Sequence, residues 1–437
     1  MLQWPTGHCS FVEQSKMEKP TNPPGKLKTF LKSLGPGLIT GASDDDPSGI
    51  ATYSQVGAQF GFSMLWTALI TFPLMAVIQE ICARIGLVTT NGLTTTLKDH
   101  YPKWVLWLMI LFSFPAIILN IGADIASMGA AAHMLFPQVA AFLFSSVFTL
   151  LIIVAIIRYP YQKIAAILKW FCITLLIYLI VPFFTKFSWL EVLKSTFIPK
   201  IQLNKSYINM LVAILGTTIS PYLFFWQATM ESEDEKSGSG PIVINKKVLT
   251  TMRKDVDAGM FFSNLVMFFI ILTCGSVLYP NGIRQIDTVE QAAKALQPIA
   301  GNMAYWLFAI GIVGTGFLAI PVLSGSLSYM AAESFNWQEG LDKKYFQAKP
   351  FYGVIVLSTV VGLLLNLLGI SPIKALIYSG ILYGVTAPVI ILIIMHISNN
   401  KKIMGAHVNS RWSNGWGYTT LVLMSVAAVA LIYFQFF

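Results

Sequence analysis

An acidic stretch near the start of the chain, residues 41–49 (Gly-Ala-Ser-Asp-Asp-Asp-Pro-Ser-Gly), lies between two apolar segments. An ionised carboxylate near the centre of a bilayer costs a few kcal/mol or more, so an aspartate inside a membrane span indicates a functional site. Pro47 lacks a backbone donor and clashes with the preceding turn, so a helix should break there. The break frees carbonyls that protein, water or an ion must satisfy. The alternative is a solvated acidic loop between two short helices.

A second stretch, residues 217–222 (Thr-Thr-Ile-Ser-Pro-Tyr), interrupts a later apolar run in a similar way. Asp46 offers an anionic oxygen, the Thr217 carbonyl a neutral one and the Ser220 side chain a hydroxyl. Hard oxygen donors suit Mg²⁺, Ca²⁺ and Mn²⁺, whereas thioethers and thiolates select softer metals. Neither stretch contains Met, Cys or His, so together they predict a site for a hard divalent cation. Asp45 is assigned to this site as a source of negative potential, and Asp44 to its water-facing mouth.

Other charged residues also lie inside apolar spans. Glu80 and Arg84 are four residues apart, so one helix face should carry an ion pair, which we interpret as structural or gating. Asp124 is the best candidate for a proton path or a vestibule charge, and Tyr222 and Glu80 are further candidates for that role. For Asp124 the alternative is a carboxylate paired with a neighbouring helix.

The composition predicts an integral membrane protein. Of 437 residues, 55% are hydrophobic and 11% are charged, whereas soluble domains carry about 25% charged residues. The net charge of +9 fits basic cytoplasmic loops, and no nucleic-acid partner is expected. The four cysteines are scattered and are interpreted as buried thiols rather than as a disulfide or zinc framework. Residues 1–32 are expected to form a disordered basic tail in the cytoplasm, without a secretory signal.

Apolar runs after this tail predict an all-α protein that crosses the lipid bilayer many times. Basic residues in alternate loops place the N-terminus in the cytoplasm and the C-terminus outside. Segment 231–254 is expected to be a loop, and 188–205 a basic external loop. The eleven predicted spans are 35–58, 62–88, 104–128, 135–158, 164–187, 206–230, 256–279, 302–330, 349–369, 372–398 and 416–436.

The two breaks fall in the first and the sixth span. Because five is an odd number, a second set of five spans runs through the membrane with inverted topology. Paired interrupted spans at corresponding positions are the best sequence indication of an inverted-repeat transporter with its site at the midplane. The alternative is two ordinary proline kinks. We therefore expect one five-helix repeat at 33–187, a second at 206–398, and a loop with the eleventh helix at 399–437.

Several motifs resemble those of the NRAMP family of divalent metal transporters. They are Gly35-Pro36-Gly37, Asp46-Pro47-Ser48-Gly49 and Ala83-Arg84-Ile85-Gly86, where that family has Gly-Pro-Gly, Asp-Pro-Gly-Asn and Ala-Arg-Leu-Gly. Residues 216–222 look like the family's Gly-Ala-Thr-Val-Met-Pro-His, and residues 404–409 resemble its loop before the eleventh helix. The resemblance covers nearly the whole chain. It implies a LeuT-like fold of the APC superfamily with an inverted 5+5 repeat, a plasma-membrane location, a transported divalent cation and no cofactor.

Departures from the family bear on the substrate. That family holds its ion with the Asp and Asn of the first break and with a carbonyl and the Met of the second. These positions correspond to Asp46, Gly49, Thr217 and Ser220. The family's thioether disfavours Ca²⁺ and Mg²⁺, so its loss should relax that discrimination. Because Mg²⁺ gives up its waters reluctantly, a roomier site of oxygens alone fits a partly hydrated Mg²⁺.

The groups that would carry protons are changed as well. The family's third-helix Asp-x-x-Glu is here Asp124 followed by Ser127, and its two sixth-helix histidines fall at Tyr222 and Gln227. The arginine pair of its ninth helix has no counterpart in 353–365. A proton relay needs titratable groups within hydrogen-bond reach of one another. The pattern resembles the NRAMP-related magnesium transporter branch, which implies uptake of Mg²⁺, and also of Mn²⁺, without tight proton coupling.

Two other transport functions stay open at this point. One is a proton-coupled Mn²⁺/Fe²⁺ symporter of the ordinary NRAMP type. A remoter one is an amino-acid or amine transporter of the same fold, which the acidic first break makes unsuited to anionic substrates. An enzyme is not expected, because the sequence shows no nucleophile–base set and no His-rich metal motif. The oligomeric state is left open.

Overall fold

Prolines stand at the first position of several helices in this computed structural model. Pro36, Pro47, Pro221 and Pro372 each begin a helix. The first N–H groups of a helix have no partner within it, so the missing donor of proline is tolerated there. The same residue inside a helix removes a hydrogen bond. Two apolar runs are divided at Pro47 and Pro221, whereas the helices that contain Pro73, Pro115, Pro321 and Pro388 are continuous.

The structure describes residues 36–160, 163, 175–237 and 244–436, and within them every regular element is helical. The main helices are α1 Pro36–Asp44, α2 Pro47–Phe60, α3 Trp66–Thr89, α4 Lys103–Leu135, α5 Ala141–Arg158, α6 Lys205–Thr218, α7 Pro221–Ser237, α8 Lys246–Val277, α9 Ala304–Phe335, α10 Lys349–Leu365, α11 Pro372–Asn399 and α12 Arg411–Phe436. Shorter helical segments are Leu93–His100, Ile177–Ile180, Val181–Phe184, Trp189–Phe197, Val289–Ala293, Lys294–Leu296, Gln297–Ala300, Gly301–Met303, Asn366–Leu368, Lys401–Met404 and Gly405–His407.

Nine helical segments of the described residues are long and apolar enough to cross a membrane. Each corresponds to one of the eleven predicted spans. The first predicted span is divided between α1, of 9 residues, and α2, of 14 residues. Residues 164–174 of the fifth, 164–187, and the whole predicted tail 1–32 lie outside the described residues. The predicted all-α membrane architecture is confirmed.

Both predicted helix breaks are present. α1 ends at Asp44 and α2 begins at Pro47, and α6 ends at Thr218 and α7 begins at Pro221. The two short helices of the first span are therefore not joined by a solvated loop, because the residues at this break are buried.

The predicted loop 231–254 is wrong at both ends, because α7 extends into its acidic part and α8 takes up its basic end. Gln227 Nε2 donates to Glu231 Oε1 at 2.9 Å across one helical turn, so that carboxylate is bonded within α7. Asn245 accepts the N–H groups of Lys247 and Val248 and caps α8. Sequence polarity alone suggested a solvated loop, and local hydrogen bonds stabilise helix instead.

The segment 188–205 also differs from the predicted loop, since it contains the helix Trp189–Phe197. Val192 and Ser195 on this helix are buried against the protein, whereas Leu190 and Leu193 are 62% and 54% exposed. An exposed apolar face on a short helix is suited to contact with lipid.

Glycines bring the two broken spans very close to neighbouring helices. A Cβ at Gly41 on α1 would lie 2.3 Å from the Gly259 carbonyl oxygen of α8. A Cβ at Gly216 on α6 would lie 1.9 Å from the Gly380 carbonyl oxygen of α11. Small residues at such contacts are common in membrane proteins, because van der Waals packing rather than the hydrophobic effect drives helix association there. These contacts position one break against α8 and the other against α11.

Candidate metal site

The two helix breaks share one feature, a backbone carbonyl that has lost its helical partner. A carbonyl in a helix normally accepts the N–H four residues later, and the proline that begins α2 or α7 has no N–H to give. The carbonyls left over belong to Ser43 and Thr217. The Ser43 carbonyl accepts the Tyr222 hydroxyl at 2.9 Å, and the Thr217 carbonyl accepts the Ser220 hydroxyl at 2.7 Å. One freed carbonyl is thus satisfied from the opposite break, and the other from its own.

Asp46 lies between α1 and α2 and caps α2. Its Oδ1 accepts the Gly49 backbone N–H at 2.8 Å and the Ser48 hydroxyl at 2.6 Å. Its Oδ2 accepts the Asn120 side-chain amide of α4 at 2.8 Å. An N-cap carboxylate satisfies the free N–H groups of the first helical turn, so the local sequence fixes this side chain. Only 2% of Asp46 is exposed.

The first break meets the second through hydroxyl groups. Ser48 Oγ lies 3.1 Å from Thr217 Oγ1, and Ser48 also donates to Asp46. Ser220, whose hydroxyl donates to the Thr217 carbonyl, is 1% exposed. A continuous set of hydrogen bonds therefore connects Asp46, Thr217 and Ser220, three of the predicted site residues, inside the protein.

Gly49 contributes a backbone N–H to this region and no side chain. A Cβ at Gly49 would lie 3.2 Å from the Tyr53 ring and 3.3 Å from the Asp44 carbonyl oxygen. These distances are tighter than most Cβ contacts, so an asparagine at this position would need its neighbours to move by a few tenths of an ångström. The space around the Gly49 Cα is therefore tight, and the backbone N–H is the polar group that this residue contributes to the break.

Asp44 is fully buried, which corrects the prediction that it lies at a water-facing mouth. Ser263 on α8 donates to Asp44 Oδ2 at 2.7 Å and lies 3.3 Å from Asp45 Oδ1. The reason is packing, because Gly259, one turn earlier on α8, allows that helix to cover the end of α1. Asp45 is 5% exposed and shares the Ser263 hydroxyl with Asp44.

Asp124 is fully buried on α4, one turn beyond Asn120. In the part of the chain that the structure describes, neither of its carboxylate oxygens has a hydrogen-bond partner. Asp124 lies within electrostatic range of Asp46. Ser127 donates to the main-chain carbonyl of Asp124 at 2.8 Å and not to its side chain. Nothing here supports pairing of this carboxylate with a neighbouring helix.

Tyr222 and Gln227 connect α7 to α1. Tyr222 donates to the Ser43 carbonyl, and Gln227 Oε1 accepts the Thr40 hydroxyl at 2.5 Å. Gln227 also donates to Glu231, and both Tyr222 and Gln227 are at most 1% exposed. These two residues thus tie the first half of one broken span to the second half of the other.

The predicted ion pair of Glu80 and Arg84 is present on α3, at 3.1 Å. Arg84 also donates to the His407 carbonyl at 2.8 Å and to Asn409 Oδ1 at 2.6 Å. These bonds connect α3 to the segment before α12. They involve neither helix break, so Glu80 belongs to a separate network in this structure.

Sequence reasoning missed four side chains around the two breaks: Ser48, Asn120, Ser263 and Ser379. Asn120 is polar within an apolar helix and stands one turn before Asp124, and this spacing is a signal that could have identified it. Ser48 lies within the first break itself. Ser263 and Ser379 give no such signal, because isolated serines are common in membrane helices.

The arrangement offers a cation one carboxylate, at Asp46, and several neutral oxygens. Among the described residues, no group of three or more His, Cys, Asp or Glu could hold a metal ion. A cation at the breaks would therefore rely on carbonyl and hydroxyl oxygens, or on its own waters, for most of its coordination.

Comparison with known proteins gives a consistent answer over nearly the full length. The family model described as "Natural resistance-associated macrophage protein-like" (Nramp) matches residues 37–434. A divalent metal cation transporter, MntH of Caldanaerobacter subterraneus subsp. tengcongensis, is 26% identical over 389 residues, which are 87% of this chain and 87% of that protein.

Solved structures with the same fold include two transporters. A manganese transporter of Eremococcus coleocola superposes with a TM-score of 0.74 at 14% identity, covering 96% of this chain and 91% of that one. MhsT in complex with L-phenylalanine superposes with a TM-score of 0.61 at 12% identity, covering 92% of this chain and 98% of that one. At these identities the likeness concerns the fold alone, and it confirms the predicted LeuT-like architecture.

Proposed function

The chain belongs to the Nramp family, and we propose that it carries Mg²⁺, and also Mn²⁺, across the plasma membrane by alternating access without tight proton coupling. The family and its relatives identify the protein as a multi-pass membrane transporter of divalent metal cations, and not as an enzyme. The choice of Mg²⁺ and the absence of coupling depend on the residues at the two breaks.

The observation that carries the proposal is the oxygen-only character of the contacts between the breaks. Asp46, Ser48, Thr217 and Ser220 form one hydrogen-bonded set in which every side-chain donor and acceptor is an oxygen. A thioether at the Ser220 position would favour softer transition metals over Mg²⁺. With a hydroxyl there instead, Mg²⁺ can compete with Mn²⁺ for the same site.

The side chains at the family's histidine positions support uncoupled transport. Gln227 cannot titrate, and its amide is engaged by Thr40 and Glu231. The Tyr222 hydroxyl is a donor to the Ser43 carbonyl. Neither side chain is a proton acceptor near neutral pH, because the ordinary pKa of tyrosine is about 10. A proton leaving the site would have no imidazole along this side of α7.

Transport requires the buried site to open alternately to the two sides of the membrane. Two sets of hydrogen bonds cross between the broken spans. Tyr222 donates to the Ser43 carbonyl and Thr40 donates to Gln227, which joins α1 to α7, and the hydroxyls of Ser48 and Thr217 join α2 to α6. Opening toward one side separates α1 from α7, and opening toward the other separates α2 from α6. We infer that the two sets of bonds break in turn, with the N-terminus of the chain in the cytoplasm and the C-terminus outside.

The proposal is tested by Mn²⁺ uptake into proteoliposomes that contain a metal indicator or a pH indicator. A large excess of external Mg²⁺ is expected to suppress Mn²⁺ uptake, and the lumen is not expected to acidify in proportion to that uptake. Liposomes that contain the Asp46→Asn variant are the control for passive leakage of Mn²⁺ and protons across the lipid bilayer. Mn²⁺ uptake that is indifferent to Mg²⁺ would overturn the choice of Mg²⁺. Acidification in step with Mn²⁺ would overturn uncoupled transport.

One observation favours a second candidate, the proton-coupled Mn²⁺/Fe²⁺ symporter. Asp124 is fully buried within electrostatic range of Asp46, and its carboxylate lacks a hydrogen-bond partner in the described chain. A carboxyl in that position is a possible proton carrier. The two candidates are distinguished by measuring lumenal acidification in wild type and in Asp124→Asn. If the protein is a symporter, wild type acidifies the lumen during metal uptake and Asp124→Asn does not. If our proposal holds, neither protein acidifies the lumen.

A further inference from the structure

One hydrogen bond to the Asp46 carboxylate comes from outside both breaks. Asn120 Nδ2 on α4 donates to Asp46 Oδ2 at 2.8 Å, and Asn120 Oδ1 accepts the Ser379 hydroxyl of α11 at 2.7 Å. That hydroxyl also lies 2.7 Å from the Leu376 carbonyl of its own turn. Asn120 and Ser379 are fully buried. Two scaffold helices thus hold the amide with its donor side toward the carboxylate.

The two oxygens of Asp46 are satisfied in different ways. Oδ1 accepts the Gly49 N–H and the Ser48 hydroxyl, both supplied by the helix that Asp46 caps. Oδ2 accepts the Asn120 amide. A buried charge without partners is strongly unfavourable, so the Asn120 amide stabilises the oxygen that the cap leaves over.

From this geometry we propose that Asn120 is a positioning residue for the return of the unloaded carrier. The amide satisfies Oδ2 of Asp46 when no cation does, and releases that oxygen to the cation on binding. The inference rests on the proposed function, in which Asp46 holds the cargo and no proton replaces it. Such a carrier must reorient with a bare carboxylate at its centre, a step that is slow unless donors compensate the charge.

A residue with this role should affect net metal uptake and metal exchange differently. Net uptake requires the unloaded carrier to return in every cycle. Exchange of labelled for unlabelled metal, with the same metal on both sides, requires only the loaded carrier to move. Loss of the Asn120 amide should therefore slow net uptake by about ten-fold, the expected effect of one hydrogen bond to a charged group, and should leave exchange nearly unchanged.

The experiment compares Asn120→Leu, Ser379→Ala and Thr386→Val in proteoliposomes. Leucine is close to asparagine in shape and lacks its amide, and Ser379→Ala loosens the amide without touching Asp46. Thr386 is the matched control, because it is a buried hydroxyl on α11 that bonds only to carbonyls of its own helix. Labelled Mn²⁺ is the probe, since the proposed function and its alternative both carry it.

The expected result is a fall of about ten-fold in the ratio of net uptake to exchange for Asn120→Leu. A smaller fall is expected for Ser379→Ala, and none for Thr386→Val. An unchanged ratio in Asn120→Leu, including the case in which both rates fall equally, would overturn the inference. If Asn120→Leu does not fold, the ratio for Ser379→Ala decides in the same way.

Failure of the proposed function is distinguishable, because it is read from wild-type protein. Lumenal acidification by wild type would refute uncoupled transport, and with it the premise that Asp46 returns as a bare carboxylate, whatever the ratio in Asn120→Leu. Absence of acidification, with an unchanged ratio in Asn120→Leu, would refute the role of Asn120 alone.

Discussion

Each of the two breaks loses one backbone hydrogen bond, and the carbonyl freed at each break is bonded in a different way. At the first, the freed Ser43 carbonyl is bonded by Tyr222 from the other broken span, and the charge of Asp46 is fixed by three donors. At the second, the freed Thr217 carbonyl is bonded by the Ser220 hydroxyl three residues later. The first break is charged and its freed carbonyl is bonded from the other broken span, whereas the second is neutral and its freed carbonyl is bonded within its own span.

This difference indicates a division of roles between the breaks. A carboxylate supplies most of the electrostatic attraction for a divalent cation, and as a hard oxygen ligand it suits Mg²⁺ and Mn²⁺ alike. The second break presents a carbonyl whose donor is a hydroxyl on a short side chain, which can rotate away and expose the carbonyl oxygen. We therefore expect mutations at the first break to change how much metal is carried, and those at the second to change which metal is carried.

The largest expected effect is that of Asp46→Asn, which removes the charge and keeps the shape. Uptake of Mg²⁺ and Mn²⁺ should both fall by about 100-fold or more, because loss of a metal ligand exceeds the 10- to 100-fold that supporting residues typically contribute. The measurement is initial uptake rate at several metal concentrations.

Asp44→Asn is the matched control, since Asp44 is equally buried and is bonded to Ser263 rather than to the other break. Its effect should stay within about ten-fold, because it supports the site at most indirectly. An equal loss in the two variants would contradict the special position of Asp46.

A second prediction concerns the close packing that positions the second break. In Gly216→Ala the new methyl group would lie 1.9 Å from the Gly380 carbonyl oxygen, so α6 and α11 must separate. Overpacking of this kind typically costs about 1–3 kcal/mol, and here the obstacle is backbone that cannot rotate away. We expect a lower melting temperature and less folded protein in detergent.

Gly353→Ala provides the comparison, since Gly353 lies in α10 with nothing within 4 Å of its added Cβ. That variant should melt like wild type or slightly higher, because alanine favours helix over glycine. Unchanged melting of Gly216→Ala would show that the two helices are not in close contact.

The sequence predicts the breaks better than it predicts their surroundings. Pro47 and Pro221 mark both breaks together with the polar residues beside them, whereas Pro73, Pro115, Pro321 and Pro388 lie inside continuous helices, so proline alone does not identify a break. The burial of Asp44 is not predictable in this way, because it depends on Ser263 and Gly259, which lie far along the chain on α8. Local patterns thus identify the residues that carry charge, and long-range packing decides which helices face them.

A third prediction tests discrimination at the second break. Ser220→Met introduces a thioether beside the freed Thr217 carbonyl, and soft ligands favour transition metals over Mg²⁺. Mg²⁺ should become a weaker competitor of Mn²⁺ uptake by about ten-fold, with Mn²⁺ uptake itself largely kept. The measurement is the Mg²⁺ concentration that halves Mn²⁺ uptake.

Ser220→Leu separates sulfur chemistry from side-chain size, because leucine and methionine have similar volumes. In that variant the freed carbonyl loses its hydroxyl donor as well, and the ratio of Mg²⁺ to Mn²⁺ should not shift toward Mn²⁺. The same shift in both variants would assign the effect to volume rather than to the donor atom.

The smallest effect is expected from Tyr222→Phe, which removes one of the hydroxyls that join the two breaks. The Ser43 carbonyl would lose its donor within the bundle, at a cost of about 1 kcal/mol or roughly five-fold in uptake, with no change in metal preference. Tyr383→Phe is the control, because the ring of Tyr383 packs on Tyr222 at a centroid distance of 5.8 Å, while its hydroxyl has no hydrogen-bond partner among the described residues. A shift in the Mg²⁺ to Mn²⁺ ratio in Tyr222→Phe would mean that the two breaks select the metal jointly, and the division of roles between them would not hold.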